Sequence, residues 1–168
     1  MKQHIEKAMT FNLSASAVWK ILDDFGGIEH YAPTIQSSSI IGETHTGLGA
    51  QRQCRFADGS SLIETIIEYN DGEGYRMELS DYSFPLKYMY SDISVIPLSD
   101  TSCEITMSTD FLVKAGPLGW LLGHFVMRPI MKGAFEKVMS GLACYTASGE
   151  VIGDALPTDN TLERLTAA

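Results

Sequence analysis

Arg52 and Glu64 are the first pair in this chain whose side chains suit the handling of a polar ligand group. A guanidinium can fork onto a carboxylate or carbonyl, and a carboxylate can orient a hydroxyl or take its proton. The two lie on AQRQCRF and SLIETIIEY, strands joined by Ala57-Asp58-Gly59-Ser60. A two-residue turn at Asp58-Gly59 would set Arg52 opposite Thr65 and send Glu64 to the other face, whereas a bulged turn would unite them. His124 and Arg128 form a second pair, one helical turn apart in an otherwise apolar stretch. An unpaired buried Arg is costly, so Arg128 must meet a carboxylate, a ligand or solvent. A third group is Tyr82, Tyr88, Tyr90 and Asp92. Turned inward, a Tyr beside an Asp could act as a general acid or orient a carbonyl for ring closure; turned outward, the group is a solvated sheet face.

Other chemistries find no support. His4, His30, His45 and His124 are dispersed, without HxxxH or HxH spacing, so no metal site is expected. There is no GxSxG, P-loop or dinucleotide motif, and the glycines of GLGAQR lead into a strand rather than a helix N-terminus. No cofactor is therefore expected. Cys54, Cys103 and Cys144 have no CxxC spacing and read as reduced thiols packed as small hydrophobes. A formal charge of -9 argues against nucleic acid and disfavours peripheral binding to anionic lipid. The longest uncharged apolar run, Pro117 to Met127, is far shorter than the ~20 residues of a membrane span. The opening MKQHIEKAMTFNLS lacks the apolar segment of a secretion signal, so a cytoplasmic location is expected. At 168 residues, 45% hydrophobic and 20% charged, the chain suits one globular domain with a real core.

The elements that must position these residues follow from periodicity. QHIEKAMTFN alternates as a strand, and NLSASAVWKILDDF has a serine cap before Val18, Trp19, Ile21, Leu22 and Phe25 at helical spacing. Gly26-Gly27 ends that helix, and IEHYAP supplies a further short turn broken at Pro33. Six more strands follow, separated by short polar turns, as an antiparallel meander. In the last of them Cys103, Ile105, Met107, Thr109 and Phe111 alternate with polar residues and should face inward.

A long helix, roughly Leu118 to Ser148, comes next. Leu121, His124, Arg128, Met131, Phe135, Val138, Leu142 and Tyr145 fall on one stripe at helical spacing. Pro129 cannot donate to the carbonyl of Phe125, and Gly119, Gly123 and Gly133 weaken the helix further. These features suit a helix that lids a cavity and is not rigid throughout. The predicted class is α+β: a curved antiparallel sheet of about seven strands wrapped around the long helix, with two short helices after the first strand. The domain is expected over residues 1–148, with residues 149–168 a polar, mobile tail in which TDNTLERL can form a last helical turn.

Three passages resemble the START-like helix-grip (SRPBCC) superfamily, and within it the polyketide cyclase/dehydrase-like branch. They are SASAVWKILDDFGGIEHYAPTI, GLGAQRQCRFADGSSLIETI, and FPLKYMY taken with the helix from Gly116. The second is similar to that family's Gly-x-Gly-x-x-Arg strand followed by a Glu on the next strand, which places Arg52 and Glu64. The likeness covers about Gln3 to Ser148. It implies a deep, mainly apolar cavity between sheet and helix, in a superfamily that includes sterol and phospholipid carriers, hormone receptors, ubiquinone-binding proteins and aromatase/cyclases. Fold analogy does not choose among these activities.

The expected function is thus binding of a hydrophobic or amphipathic small molecule (a lipid, polyketide, isoprenoid or aromatic) by a carrier or sensor. A cyclase/dehydratase-type enzyme using the same cavity is the alternative, and the sequence leaves enzymatic activity open. A protein-interaction module presenting Trp120 is a third reading, and a homodimer is left open. The residues expected at the ligand are Arg52, Glu64, Tyr88, Tyr90, Met107, Thr109, Phe111, His124, Met127, Arg128, Met131 and Phe135. Met77 and Met89 would add adaptable apolar lining.

Overall fold

The computed structural model describes residues 2–83, 85–114, 116–153, 155–156 and 161–167. Strand β1 (Gln3–Phe11) leads into α1 (Ala15–Asp23), a 3-10 segment (Phe25–His30), and the strands β2 (Ile35–Ile41), β3 (Gln51–Phe56), β4 (Ser61–Asn70), β5 (Gly74–Ser80), β6 (Leu86–Ser99) and β7 (Ser102–Val113). The helical layer follows as α2 (Gly116–Leu122), a π-helical turn (Gly123–Met127) and α3 (Arg128–Ser148). The strand order is β2-β3-β4-β5-β6-β7-β1, and every pair is antiparallel.

Local chemistry explains these boundaries. Ser14 caps α1 by accepting a hydrogen bond from the Ala17 N–H at 3.3 Å. Val18, Trp19 and Leu22 form its buried face. At the other end of the helical layer, Gly149 takes the left-handed conformation and its N–H closes onto the Tyr145 carbonyl. The alternation along β7 buries Cys103, Ile105, Thr109 and Phe111 against the concave side, where Phe135, Met139 and Leu142 of α3 meet them in one core. Near the far end of the sheet, Trp19, Phe25, Tyr69 and Tyr75 pack ring against ring at centroid separations of 5.8 to 6.2 Å. The Trp19 indole N–H donates to Asp71 at 3.0 Å, which ties α1 to the β4–β5 turn.

Beyond α3, Thr161–Leu165 form a short helix, α4, and Thr166–Ala167 pair with Thr10 and Phe11 as a two-residue β8 at the β1 edge. The expectation of a mobile tail falls partly on residues 154, 157–160 and 168, which lie outside the described residues.

Candidate functional site

The β3–β4 hairpin settles the relation of Arg52 to Glu64. Its connection is Ala57-Asp58-Gly59, with Gly59 at φ 84° and the Phe56 N–H bonded to the Ser60 carbonyl. This three-residue loop ends in a left-handed glycine, the bulged form that shifts register by one residue relative to a two-residue turn. Arg52 therefore lies directly opposite Glu64. Arg52 Nε donates to Glu64 Oε2 at 2.5 Å, its Nη1 donates to the Phe25 carbonyl at 2.5 Å, and the guanidinium lies 4.0 Å from the Phe25 ring centre. Arg52 is 2% exposed. Burial opposes its charge, yet the Glu64 carboxylate opposite holds its pKa above the ordinary value. Burial also pushes the neighbouring Cys54 thiol up to about 12 and the Cys103 thiol up to about 11, so neither presents a thiolate nucleophile near neutral pH.

The apolar cavity lies beside the first half of the helical layer. It encloses about 230 Å³ between the β3–β4 hairpin, the start of β6 and the helical layer. Phe56 and Leu62 wall it from the hairpin, Leu86 and Met89 from β6, and Met127, Ile130 and Met131 from the helix. Leu122 and Val126 complete the helical side, while Tyr82, Ser60, Ser61 and Ser83 stand at its edge. Three roomier hollows are more open: about 410 Å³ on the outer sheet face around Arg76 and Asp92 and about 680 Å³ beside the end of α3, both with mixed polar and apolar walls, and about 490 Å³ of apolar groove between Val113 and Phe125 on the outside of the helical layer. An almost wholly apolar lining and a less open shape than these grooves make the smaller cavity the better small-molecule site.

The helix owes its shape here to the π turn. Pro129 has no N–H for the Phe125 carbonyl, and the Arg128 N–H instead reaches back five residues to the carbonyl of Gly123. Inward positions run Gly119, Gly123, Met127, Met131 and Phe135, a step of four residues. An ideal helix would drift by about 40° at each such step, and the wide turn takes back most of it. This corrects the stripe expected from regular periodicity: Leu121 is 45% exposed, and His124 and Arg128 lie half-buried on the flank. Arg128 Nη1 is 3.3 Å from His124 Nδ1, and His124 stacks on Trp120 at 5.1 Å. Trp120 is accordingly half-buried in that stack rather than the outward patch expected of an interaction module. Gly119 has its own reason, since a Cβ there would collide with the Lys114 carbonyl.

Of the residues expected at the ligand, the structure brings Met127 and Met131 together in the cavity wall. Phe135 is buried on the inner side of α3, outside the wall. Met107, Thr109 and Phe111 face inward on β7 but lie outside the wall; the Thr109 hydroxyl pairs with Ser91 at 2.7 Å, and Phe111 sits under Gly123. Arg52 and Glu64 are buried in the core outside the wall, Glu64 two residues along β4 from Leu62. Tyr88 and Tyr90 require a correction. Strand β6 pairs Met89 with Phe111 and Tyr90 with Asp110, so strand parity sends both tyrosines to the convex face. There Tyr90 lies 5.3 Å from the Arg76 guanidinium and its hydroxyl is 3.4 Å from Glu78. Phe56, Leu62, Leu86, Leu122, Val126 and Ile130 were not singled out from the sequence, because they read as ordinary core or helix positions.

The same convex face carries Asp110, bonded to Lys2 and His4 at 2.9 Å each. Burial raises its pKa, but those two partners prevail and hold the carboxyl below its ordinary value. A depressed native pKa contributes stability that is present above the unfolded value and lost as pH falls through the folded value. Asp110→Asn should therefore destabilise the protein at neutral pH and leave a shallower acid limb in a plot of unfolding free energy against pH.

Curved sheet, gripping helix and apolar cavity define a protein of the START-like helix-grip class. The chain belongs to the family described as "Polyketide cyclase / dehydrase and lipid transport", whose sequence profile matches residues 2–147. No curated protein matches the sequence. Among solved structures, an uncharacterised protein of Bacillus thuringiensis superimposes with a TM-score of 0.72 at 20% identity, covering 87% of this chain and 100% of that one. Norcoclaurine synthase of Thalictrum flavum, in complex with dopamine and hydroxybenzaldehyde, gives 0.70 at 18% identity over 90% of each chain. Ara h 8.0201 gives 0.69 at 17% identity, covering 88% of this chain and 99% of that one. At these identities the likeness establishes the fold and no particular activity.

Proposed function

We propose that the protein encloses a hydrophobic or amphipathic small molecule in the cavity beneath the π turn and acts as a carrier or sensor. The observation that carries this reading is the composition of the wall. Among its described residues the only ionisable side chain is Tyr82, whose pKa burial raises further. Cyclisation or dehydration would call for a converging acid–base pair at the reacting atoms, whereas holding an apolar body calls for an apolar wall. Tyr82, Ser61 and Ser83 at the cavity edge are the polar residues nearest to hand for a polar head, whereas His124 and Arg128 lie on the flank of the helix away from Leu122, Val126 and Ile130. The working domain is residues 1–148, the location cytoplasmic, and no resident cofactor is required.

Native mass spectrometry of the purified chain, followed by solvent extraction, tests this directly. The expected result is a retained lipid-like, polyketide, isoprenoid or aromatic molecule that leaves on extraction. A protein that is empty and also fails to bind a hydrophobic fluorescent dye would overturn the cavity reading.

A further inference from the structure

The helical layer leaves a continuous apolar face turned outward. Leu118 is 75% exposed, Phe125 66% and Ile130 65%, with Leu121, Leu122 and Val126 filling the face between them. Beside it, Pro85, Val113 and Lys114 complete an open groove of about 490 Å³ against Leu118, Leu121 and Phe125. Single exposed apolar side chains are ordinary, but six on one helical segment are not. Leu122, Val126 and Ile130 also line the cavity, so this face and the cavity wall are continuous.

Charge points to the occupant. From Phe111 to Phe135 the chain has no Asp or Glu, although the whole protein contains 21 acidic residues. Between Lys114 and Lys137 the formal charge is +3, with Lys114, Arg128, Lys132 and Lys137 opposed only by Glu136, in a protein of net charge -9. Lys114 lies in the groove itself, and Lys132 and Lys137 are exposed. A helix with Leu, Phe and Ile on one side and Lys and Arg along it has the character of a segment that lies in the plane of a bilayer surface. The acidic remainder of the molecule would be repelled by the same surface, which fixes the orientation of approach.

We infer that α2, the π turn and the start of α3 form a docking surface for an anionic phospholipid bilayer, with Leu118, Phe125 and Ile130 entering the interface. The negative total charge weighs against anionic membranes only if charge is spread evenly, and here it is not. In the docked state the cavity wall formed by Leu122 and Val126 faces the lipid, which offers an apolar ligand a path that avoids water. Docking itself needs no ligand, so it stands or falls separately from the cavity reading.

Flotation of the full chain with vesicles tests it. Vesicles of equal parts phosphatidylcholine and phosphatidylglycerol should carry the protein upward, and pure phosphatidylcholine vesicles should not. Binding should weaken with added salt. Leu118→Asp and Phe125→Asp, which lie outside the cavity wall, should each lower vesicle affinity by about tenfold or more while dye binding in the cavity persists. Lys132→Glu should lower it without changing fold or dye binding. Absence of flotation, or equal flotation with both vesicle types, overturns the proposal. So does sedimentation showing a dimer that Phe125→Asp converts to monomer, since a second copy would then cover this face.

Discussion

Arg52→Ala should destabilise the folded protein by about 3–5 kcal/mol, because it strands the Glu64 carboxylate in a sealed part of the core. That is a large share of the about 5–15 kcal/mol by which native domains are stable. The double variant Arg52→Met with Glu64→Leu should lose much less. It removes both charges and fills the space with apolar groups, although the Phe25 carbonyl loses its donor, at a cost of about 1–3 kcal/mol. Denaturant unfolding of the wild type, both single variants and the double variant closes the cycle. The expected coupling is strongly favourable to the pair. The same proteins separate two roles for Arg52. A double variant that folds and still binds dye assigns the pair to the architecture, while one that folds but no longer binds would make Arg52 a ligand group acting at a distance from the wall described here.

The register that unites this pair shows where sequence reasoning stopped. Class and order of elements were legible because β-rich segments are separated by turns carrying Gly, Asp, Asn or Ser, and some strands alternate with period two. Cys103 to Phe111 is the clearest case, and its inward set is buried as the alternation requires, Met107 only in part. Whether a hairpin has two or three loop residues depends on one backbone conformation at Gly59, which composition does not reveal, yet it decides the face of every residue on β3 relative to β4. The π turn is a similar case. Pro129 announces a disturbance, but its outcome, a wide turn that rotates Leu121 outward and Met127 inward, depends on how closely Gly119 and Gly123 let the helix settle on β7. Tyr88 and Tyr90 were within reach of the sequence, because Met89, Ser91 and Ile93 alternate with them and share the inward face of Phe111 and Thr109. Leu62 and Leu86 gave no signal of any kind, since a leucine lining a cavity and a leucine filling a core differ only in what lies opposite.

That last difference can be tested by filling the space. Met131→Trp places an indole into the about 230 Å³ enclosed by Leu62, Leu86, Met89 and Met127. In a close-packed core such a substitution costs about 1–3 kcal/mol through strain. Here the ring enters empty volume, and the expected change in unfolding free energy is within about 1 kcal/mol. Ligand binding should respond in the opposite proportion. Each methylene denied burial costs about 0.8 kcal/mol, so excluding three or four of them should weaken a fatty-acyl probe by roughly a hundredfold. Titration of a fluorescent fatty acid into wild type, Met131→Trp and Tyr90→Phe measures this, the last serving as a convex-face control with unchanged affinity. If Met131→Trp instead unfolds the protein while the wild type binds no probe, the cavity is a packing defect and not a binding site. If it folds and binds as before, the ligand lies elsewhere, and the groove of Leu118 and Phe125 outside the helix becomes the place to look.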